Sequence, residues 1–212
     1  MKISEIFYSI QGESSYSGLP CVFVRTSGCN LKCSYCDTQY ADQVNFTLTP
    51  QEVLSAVNSF NHLTLVEITG GEPLLQEDIY ELIEIFHHHN FDILLETNGS
   101  LPLNNIPSYV AKIVDIKAPG SGFPNSFLLE NLERIDPQKD NLKIVLSSLE
   151  DYNWMKVFLA KYSLFGHHIL ISTVFNKIDP KMIVENILKD RLNIRFQIQL
   201  HKYIWEANER GR

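Results

Sequence analysis

Apolar residues follow two different spacings along this chain, and the spacings alternate. Short runs rich in β-branched and aromatic residues read as strands at Cys21–Thr26, Leu65–Thr69, Phe91–Glu96, Ile113–Ile116, Leu142–Leu146, Ile169–Val174 and Phe196–Leu200. Between several of them, apolar residues recur every three to four positions. Thr49-Pro50-Gln51-Glu52 is a capping box with proline at the first helical position, and Val53, Leu54 and Val57 follow it. Ile79, Leu82, Ile83 and Phe86 mark a second helix. Ser147-x-x-Glu150 opens a third through Trp154, Val157 and Phe158, and Asp179-Pro180 opens a fourth through Ile183 and Ile187. Strand–helix alternation predicts an α/β fold of parallel strands with crossover helices. About six or seven such units make an incomplete barrel, open on one side.

Several strands carry polar side chains on one face. Asp92, Leu94, Glu96 and Asn98 share a face, opposite Phe91, Ile93, Leu95 and Thr97. Gln197, Gln199 and His201 share another; Glu67 pairs with Thr69, and Asp115 with Lys117. If the apolar faces meet the helices, these polar groups point into the barrel, where they need a ligand or ordered water. The other reading is edge strands facing solvent. The polar residues gather towards the C-terminal strand ends, where barrel sites lie.

The 212 residues are 44% apolar and 20% charged, which excludes a chain disordered throughout. A net charge of −7 argues against a broad basic face for nucleic acid. No apolar run is long enough for a membrane span, and Met1-Lys2-Ile3-Ser4-Glu5 has no apolar signal core, so a cytoplasmic protein is expected. Without repeats or linkers, residues 1–212 read as one domain.

Cys21 sits in a strand and reads as a small buried hydrophobe. Cys29, Cys33 and Cys36 crowd into one loop as C-x3-C-x2-C, with no fourth ligand nearby; the next histidine is His62. Structural zinc normally closes four ligands. A four-iron cluster held by three thiolates instead keeps one iron open for a small molecule. His87-His88-His89 is not a metal site, because consecutive helical residues point about 100° apart.

The run Gly28-Cys29-Asn30-Leu31-Lys32-Cys33-Ser34-Tyr35-Cys36-Asp37 follows one strand, and Thr69-Gly70-Gly71-Glu72-Pro73 ends the next. Together they resemble the radical S-adenosylmethionine (SAM) superfamily over nearly the whole chain. The resemblance implies a (β/α)6-type partial barrel and a 4Fe–4S cluster on the three cysteines. It also implies SAM chelated to the open iron and cleaved by one electron to a 5′-deoxyadenosyl radical. By the same resemblance Gly70, Gly71 and Glu72 hold the methionine end, Tyr35 lies near the adenine, and Asp115, Lys117 and Gln197 make further cofactor contacts.

Ile10-Gln11-Gly12-Glu13, Arg25, Asp37-Thr38 and Gln199-Leu200-His201-Lys202-Tyr203 are similar to one branch of that superfamily. Its members contract 6-carboxy-5,6,7,8-tetrahydropterin to 7-carboxy-7-deazaguanine with loss of ammonia, on the route to queuosine, and require Mg²⁺. This implies substrate contacts at Ile10, Gln11, Gly12, Glu13, Arg25, Thr69, Glu96 and His201, a hydroxyl ligand to Mg²⁺ from Thr38, and a contact from the Arg212 carboxylate. Gln11, the Gly12 backbone and Glu13 suit the donor and acceptor edges of a pterin, and Arg25 suits its carboxylate. Arg25 as a structural ion pair and Glu13 as a turn cap are the competing readings; Phe7 and Tyr8 read as packing residues. The implied organisation is a substrate-binding extension over 1–20, the barrel over 21–200 and a tail over 201–212 that closes the site. A homodimer and a reductant such as flavodoxin are the implied partners. The chain departs from the branch at Asp115-Ile116-Lys117, where other members carry a Ser-Pro-Lys-like run. A glycyl-radical-enzyme activating protein, which shares the cysteine loop, is one alternative, and a zinc or cluster module without activity is another.

Overall fold

The structure is a computed structural model that describes residues 1–206 and 209–211. Nine strands form one sheet in the order β3-β1-β2-β4-β5-β6-β7-β8-β9. From β2 (Pro20–Thr26) the parallel neighbours are β4 (Leu65–Gly70), β5 (Asp92–Thr97), β6 (Ala111–Asp115), β7 (Asn141–Leu146), β8 (His168–Thr173) and β9 (Arg195–Phe196). β1 (Lys2–Ile10) and β3 (Phe46–Thr47) extend the other edge antiparallel. β1 and β9 are not paired, so the barrel is incomplete.

β1 departs from the sequence reading, which takes residues 1–20 as an extension rather than a strand. Ile3, at 0% exposure, belongs to the main core, but Ser4, Glu5 and Ser9 interrupt the apolar run that marks the other strands. The crossovers differ too. α1 (Pro50–Asn58), α2 (Asp78–His88), α3 (Leu149–Lys161) and α4 (Pro180–Asp190) cover four of them. The β5–β6 connection carries Pro102 and Pro107 and no helix, and the β6–β7 connection carries only 3-10 turns.

Helix starts follow their caps. Thr49 accepts from the Glu52 amide while the Glu52 carboxylate accepts from the Thr49 amide, and Asp179 caps α4. The α3 cap is Ser148 rather than Ser147: Ser148 Oγ accepts from the Asp151 amide. Ser147 instead donates its hydroxyl to the Asp151 carboxylate, 2.7 Å away. Of the face read from the sequence, Trp154 and Phe158 pack on the core but Val157 points out at 68% exposure, while Tyr152, Met155 and Leu159 are buried.

The main core lies between the sheet and the helices. Val22, Val24, Val66, Ile68, Ile93, Leu95, Ile144 and Ile169 pack on Val53, Phe86, Met155 and Ile183. The inner face of the sheet grades from apolar to polar. Cys21, Phe23, Leu65, Leu94, Ala111 and Ile113 form a small cluster at the N-terminal end, with Tyr16 against it. Two residues further along the same faces stand Arg25, Glu67, Glu96 and Asp115, joined by Lys143 from β7. Cys21 is fully buried, as expected.

The predicted strand Phe196–Leu200 is mostly not a strand. β9 ends at Phe196, and after one more bond, from the Gln197 amide to the Ile171 carbonyl, the chain leaves the sheet edge. The Leu200 amide donates to the Gly12 carbonyl, 3.0 Å away, and a short helix α5 (His201–Ile204) begins over the barrel mouth. Pairing with the N-terminal segment outcompetes extension of the edge. Among the described residues no helix is long and apolar enough to cross a membrane.

Candidate active site

A cleft of about 700 Å³ opens at the C-terminal ends of the strands. The three loop cysteines line it together with Gly70, Gly71, Asp115, Lys117 and Tyr35. So do Ile10, Gln11, Gly12, Glu13, Arg25, Thr38, Thr69, Glu96 and His201. Residues more than 180 positions apart in sequence thus face one space.

The cysteine loop is fastened at both sides. The Ser34 hydroxyl donates to the Gly120 carbonyl at 2.6 Å and its amide to the Ser121 carbonyl, while Lys32 pairs with Asp42. Beneath it Gly71 lies so close to the Gly28 carbonyl that any Cβ there would overlap it. Cys29 Sγ accepts from the Leu31 amide and faces the Asn98 side-chain amide. Burial pushes the Cys33 and Cys36 thiols up, so both await a metal to ionise them. Among the described residues no three His, Cys, Asp or Glu side chains converge as they would on one ion. Thiolates bound to three separate irons have no such need, and the donor set fits a cubane cluster. His87 stacks on Tyr109, and His88 and His89 bond to backbone carbonyls one helical turn back.

The cofactor side of the cleft also fits. Lys117 pairs with Asp115 Oδ2 at 2.8 Å, leaving Asp115 Oδ1 buried without a partner. An acceptor beside an ammonium suits the amino and carboxylate groups of SAM, and the Asp115-Ile116-Lys117 run supplies both in place of a Ser-Pro-Lys-like one. The Tyr35 hydroxyl donates to the Val145 carbonyl, which holds its ring on the cleft wall.

Two expected cofactor contacts lie elsewhere. The Glu72 carboxylate is 0% exposed and accepts from the Asn98 amide (2.8 Å), the Thr97 hydroxyl (2.9 Å) and the Leu74 amide (3.1 Å). It does not line the cleft; it ties the end of β4 to the end of β5. Gln197 Oε1 accepts from the Ser14 amide at 2.9 Å, and its side chain faces a neighbouring cavity of about 330 Å³ beside α4. Its strand ends early, which turns it away from the cleft.

The substrate side is a network of ions. Gln11 Nε2 donates to Glu67 at 2.7 Å, and Gln11 Oε1 accepts from the Glu13 amide at 2.6 Å. Gln11 therefore orients its neighbours, and its amide is already engaged. Lys143 ion-pairs with Glu13 and, at 2.7 Å, with Glu96, which accepts from the Thr69 hydroxyl at 3.2 Å. Burial raises the Glu67 carboxyl to about 8, reinforced by the Glu96 charge. Burial works the same way on Glu96, but the Lys143 ammonium overrides it and holds Glu96 low. Neutral and ionised carboxyls thus sit side by side.

Arg25 makes the structural ion pair of one reading and also lines the cleft. Its Nε donates to Glu5 at 2.7 Å, and its guanidinium lies 5.6 Å from the Phe7 ring and 5.8 Å from the Tyr40 ring, facing the cleft. Phe7 stacks on Phe23 at 4.9 Å and forms part of the cleft wall, whereas Tyr8 is largely exposed. The Thr38 hydroxyl donates to Asp37 at 2.8 Å, and Asp37 pairs with Lys202 at 2.6 Å. These hard oxygens at the cleft lip fit Mg²⁺. His201 stands on α5, not at a strand end, and fills the space where a Cβ of residue 12 would be. Burial lowers its imidazole. Arg212 lies outside the described residues.

Sequence reading misses Lys143, and it names Glu67 and Asn98 only as inward-facing polar residues without a role. The first had a signal: Asn141, Lys143 and Val145 alternate with Leu142, Ile144 and Leu146, which are buried in the main core.

Residues 23–120 match the model of the Radical SAM superfamily. The fold agrees with QueE from Escherichia coli at a TM-score of 0.72 and 21% identity, over 92% of this chain and 93% of that one. Barrel, thiol loop and cleft define a radical SAM protein. The chain is 43% identical to a 7-carboxy-7-deazaguanine synthase of Chlorobaculum tepidum, over 100% of this chain and 97% of the relative. It is 38% identical to one of Koribacter versatilis over the full length of both. It belongs to the 7-carboxy-7-deazaguanine synthase family.

Proposed function

We propose that this chain converts 6-carboxy-5,6,7,8-tetrahydropterin to 7-carboxy-7-deazaguanine and ammonia in the synthesis of queuosine and related 7-deazapurines. One observation carries the reading: a single cleft joins the three-thiol loop to a floor of fixed donors and acceptors with a guanidinium beside it. When bound, the reduced cluster and SAM supply one-electron hydrogen abstraction. Cys29, Cys33 and Cys36 would hold the cluster; Gly70, Gly71, Asp115, Lys117 and Tyr35 would hold SAM; Thr38 would hold Mg²⁺.

The chain's own residues then bind and orient. The carboxylates of Glu13 and Glu96 accept from the amino-pyrimidinone edge, and Arg25 attracts the carboxylate. Thr69 and His201 border the same space. The barrel walls and α5 keep bulk water from the reacting carbon. A division of labour follows: residues 1–20 bring Gln11–Glu13 to the substrate, 21–200 form the barrel, and the segment that begins at His201 closes the mouth with His201 and Lys202. The free thiols suit a reducing compartment. A cytoplasmic homodimer reduced by a flavodoxin completes the reading.

A glycyl-radical activating role finds no support here, since Leu200 and α5 fold over the mouth that a protein substrate would need. The test is anaerobic reconstitution with iron and sulfide, followed by assay with SAM, Mg²⁺ and 6-carboxytetrahydropterin. Formation of 7-carboxy-7-deazaguanine is expected. An intact cluster that cleaves SAM without forming that product defeats the reading.

A further inference from the structure

The hydrogen bonds on the cleft floor close into a ring. Glu67 on β4 accepts from Gln11; Gln11 accepts from the Glu13 amide; the Glu13 carboxylate meets Lys143 on β7. Lys143 then meets Glu96 on β5, and Glu96 accepts from Thr69, back on β4. Lys143 is the one cation in this ring and the link between the Glu13 and Glu96 carboxylates. Its side chain is only 7% exposed.

We infer that Lys143 is a positioning residue: its ammonium, paired with both carboxylates, holds Glu13 and Glu96 side by side so that both present acceptors to the donor edge of the substrate. This rests on the pterin reading of the cleft. Without a cation between them, two buried carboxylates in one site cannot both stay charged, and one takes up a proton. A protonated carboxyl donates where the substrate also donates, so binding fails. Glu13 Oε1 is buried and without a partner, as an acceptor awaiting a ligand would be.

Charges from the other elements leave this role to Lys143. Asp115 on β6 adds a further negative charge near the ammonium, and Glu67 on β4 is the neutral neighbour. Lys117 and Arg25 also act on Glu96 through space, Lys117 less than Lys143, but their ion pairs are with Asp115 and Glu5, and that of Lys202 is with Asp37. His201 feels Glu13, but burial holds the imidazole in its neutral form.

The test compares Lys143→Met and Lys143→Arg in the reconstituted enzyme, with KM and kcat measured against pH. Binding of 7-carboxy-7-deazaguanine to the same protein without SAM is a readout independent of turnover. For Lys143→Met, KM should rise about tenfold or more at neutral pH, and product affinity should fall in parallel. The acid limb of kcat/KM should move to higher pH, because Glu96 loses the ammonium that holds its carboxyl low. Lys143→Arg should recover most of both. Should Lys143→Met not fold, Glu96→Gln/Lys143→Met, which removes one of the opposed charges, serves instead. It should bind product more weakly than wild type but keep the wild-type acid limb. An unchanged KM and pH profile in Lys143→Met overturns the proposal, as does an arginine variant no better than methionine. An acid limb shifted in the double variant as far as in the single one also overturns it. If wild type itself makes no product, the pterin reading has failed, a result distinct from any of these.

Discussion

Four cysteines of one chain meet two fates, and the environment of each sulfur decides which. Cys21 faces the apolar end of the barrel interior, where burial and the nearby Glu67 push its thiol up and keep it inert. Cys29, Cys33 and Cys36 sit on a loop at the cleft, half-buried to exposed. Replacing any of these three by alanine should abolish iron and sulfide retention in anaerobically reconstituted protein. Cys21→Ala should keep the full iron content and lose about 1 kcal/mol of stability, the cost of a small cavity. Denaturant melts and iron analysis on the four variants separate the two classes. Glu67 offers a second residue-scale test. Its folded value, about 8, lies above the ordinary 4.5, so the folded state holds a proton that the unfolded chain releases. The associated stability is complete below pH 4.5 and is lost as pH climbs through about 8. Glu67→Gln removes that titration. Its stability relative to wild type should therefore grow with pH across this window, by up to about 1.4 kcal/mol per unit. Parallel pH dependence in the two proteins would sink the assignment.

At the scale of elements, the Gly-Gly-Glu-Pro turn after β4 works differently from its motif reading. The glycines let two backbones approach; the glutamate joins neighbouring strand ends. Glu72→Ala strands the Asn98 amide and the Thr97 hydroxyl without their acceptor, inside the protein. A loss of about 3 kcal/mol in denaturant unfolding is expected. Iron retention should suffer as well, because Asn98 approaches Cys29. A variant as stable as wild type would return Glu72 to a direct cofactor role. The α3 cap carries a related lesson. Ser147 and Ser148 both offer capping hydroxyls, and the Asp151 side chain selects between them by engaging Ser147 and the Gly120 amide.

The whole molecule closes one end of the barrel and opens the other. The loop after β1 enters the interior, where Ser15 pairs with Asn141 and Ser14 with Gln197, while the C-terminal segment crosses the mouth. Asp37–Lys202 spans cysteine loop and C-terminal helix, with Thr38 at the same lip. Asp37 is half exposed, and the Lys202 ammonium outweighs its partial desolvation and holds the carboxyl well below the usual range, so a cation at this lip meets a negative group. Thr38→Ala should retain the cluster and bind SAM, but lose most of the rate gained from Mg²⁺. Titration of turnover with Mg²⁺ reads this directly, and an unaltered response would remove Thr38 from the metal site.

Much of this was legible in the chain itself. Period-two and period-three-to-four spacing marked six of the nine strands and all four main helices, because one buried face imposes its period on the sequence. The C-x3-C-x2-C loop marked the cluster site because its ligands are local. Other features depend on distance in sequence. Nothing near Phe196–Leu200 tells that this segment will leave a sheet edge to pair with Gly12, and nothing near Glu72 tells that its oxygens will be consumed by β5. Lys143 lies 130 positions from Glu13 and 47 from Glu96. Local periodicity determined most of the elements, and local cysteine spacing determined the thiol loop. Only the folded barrel decided which charges meet across its interior, because burial and pairing depend on residues that no short window of sequence contains.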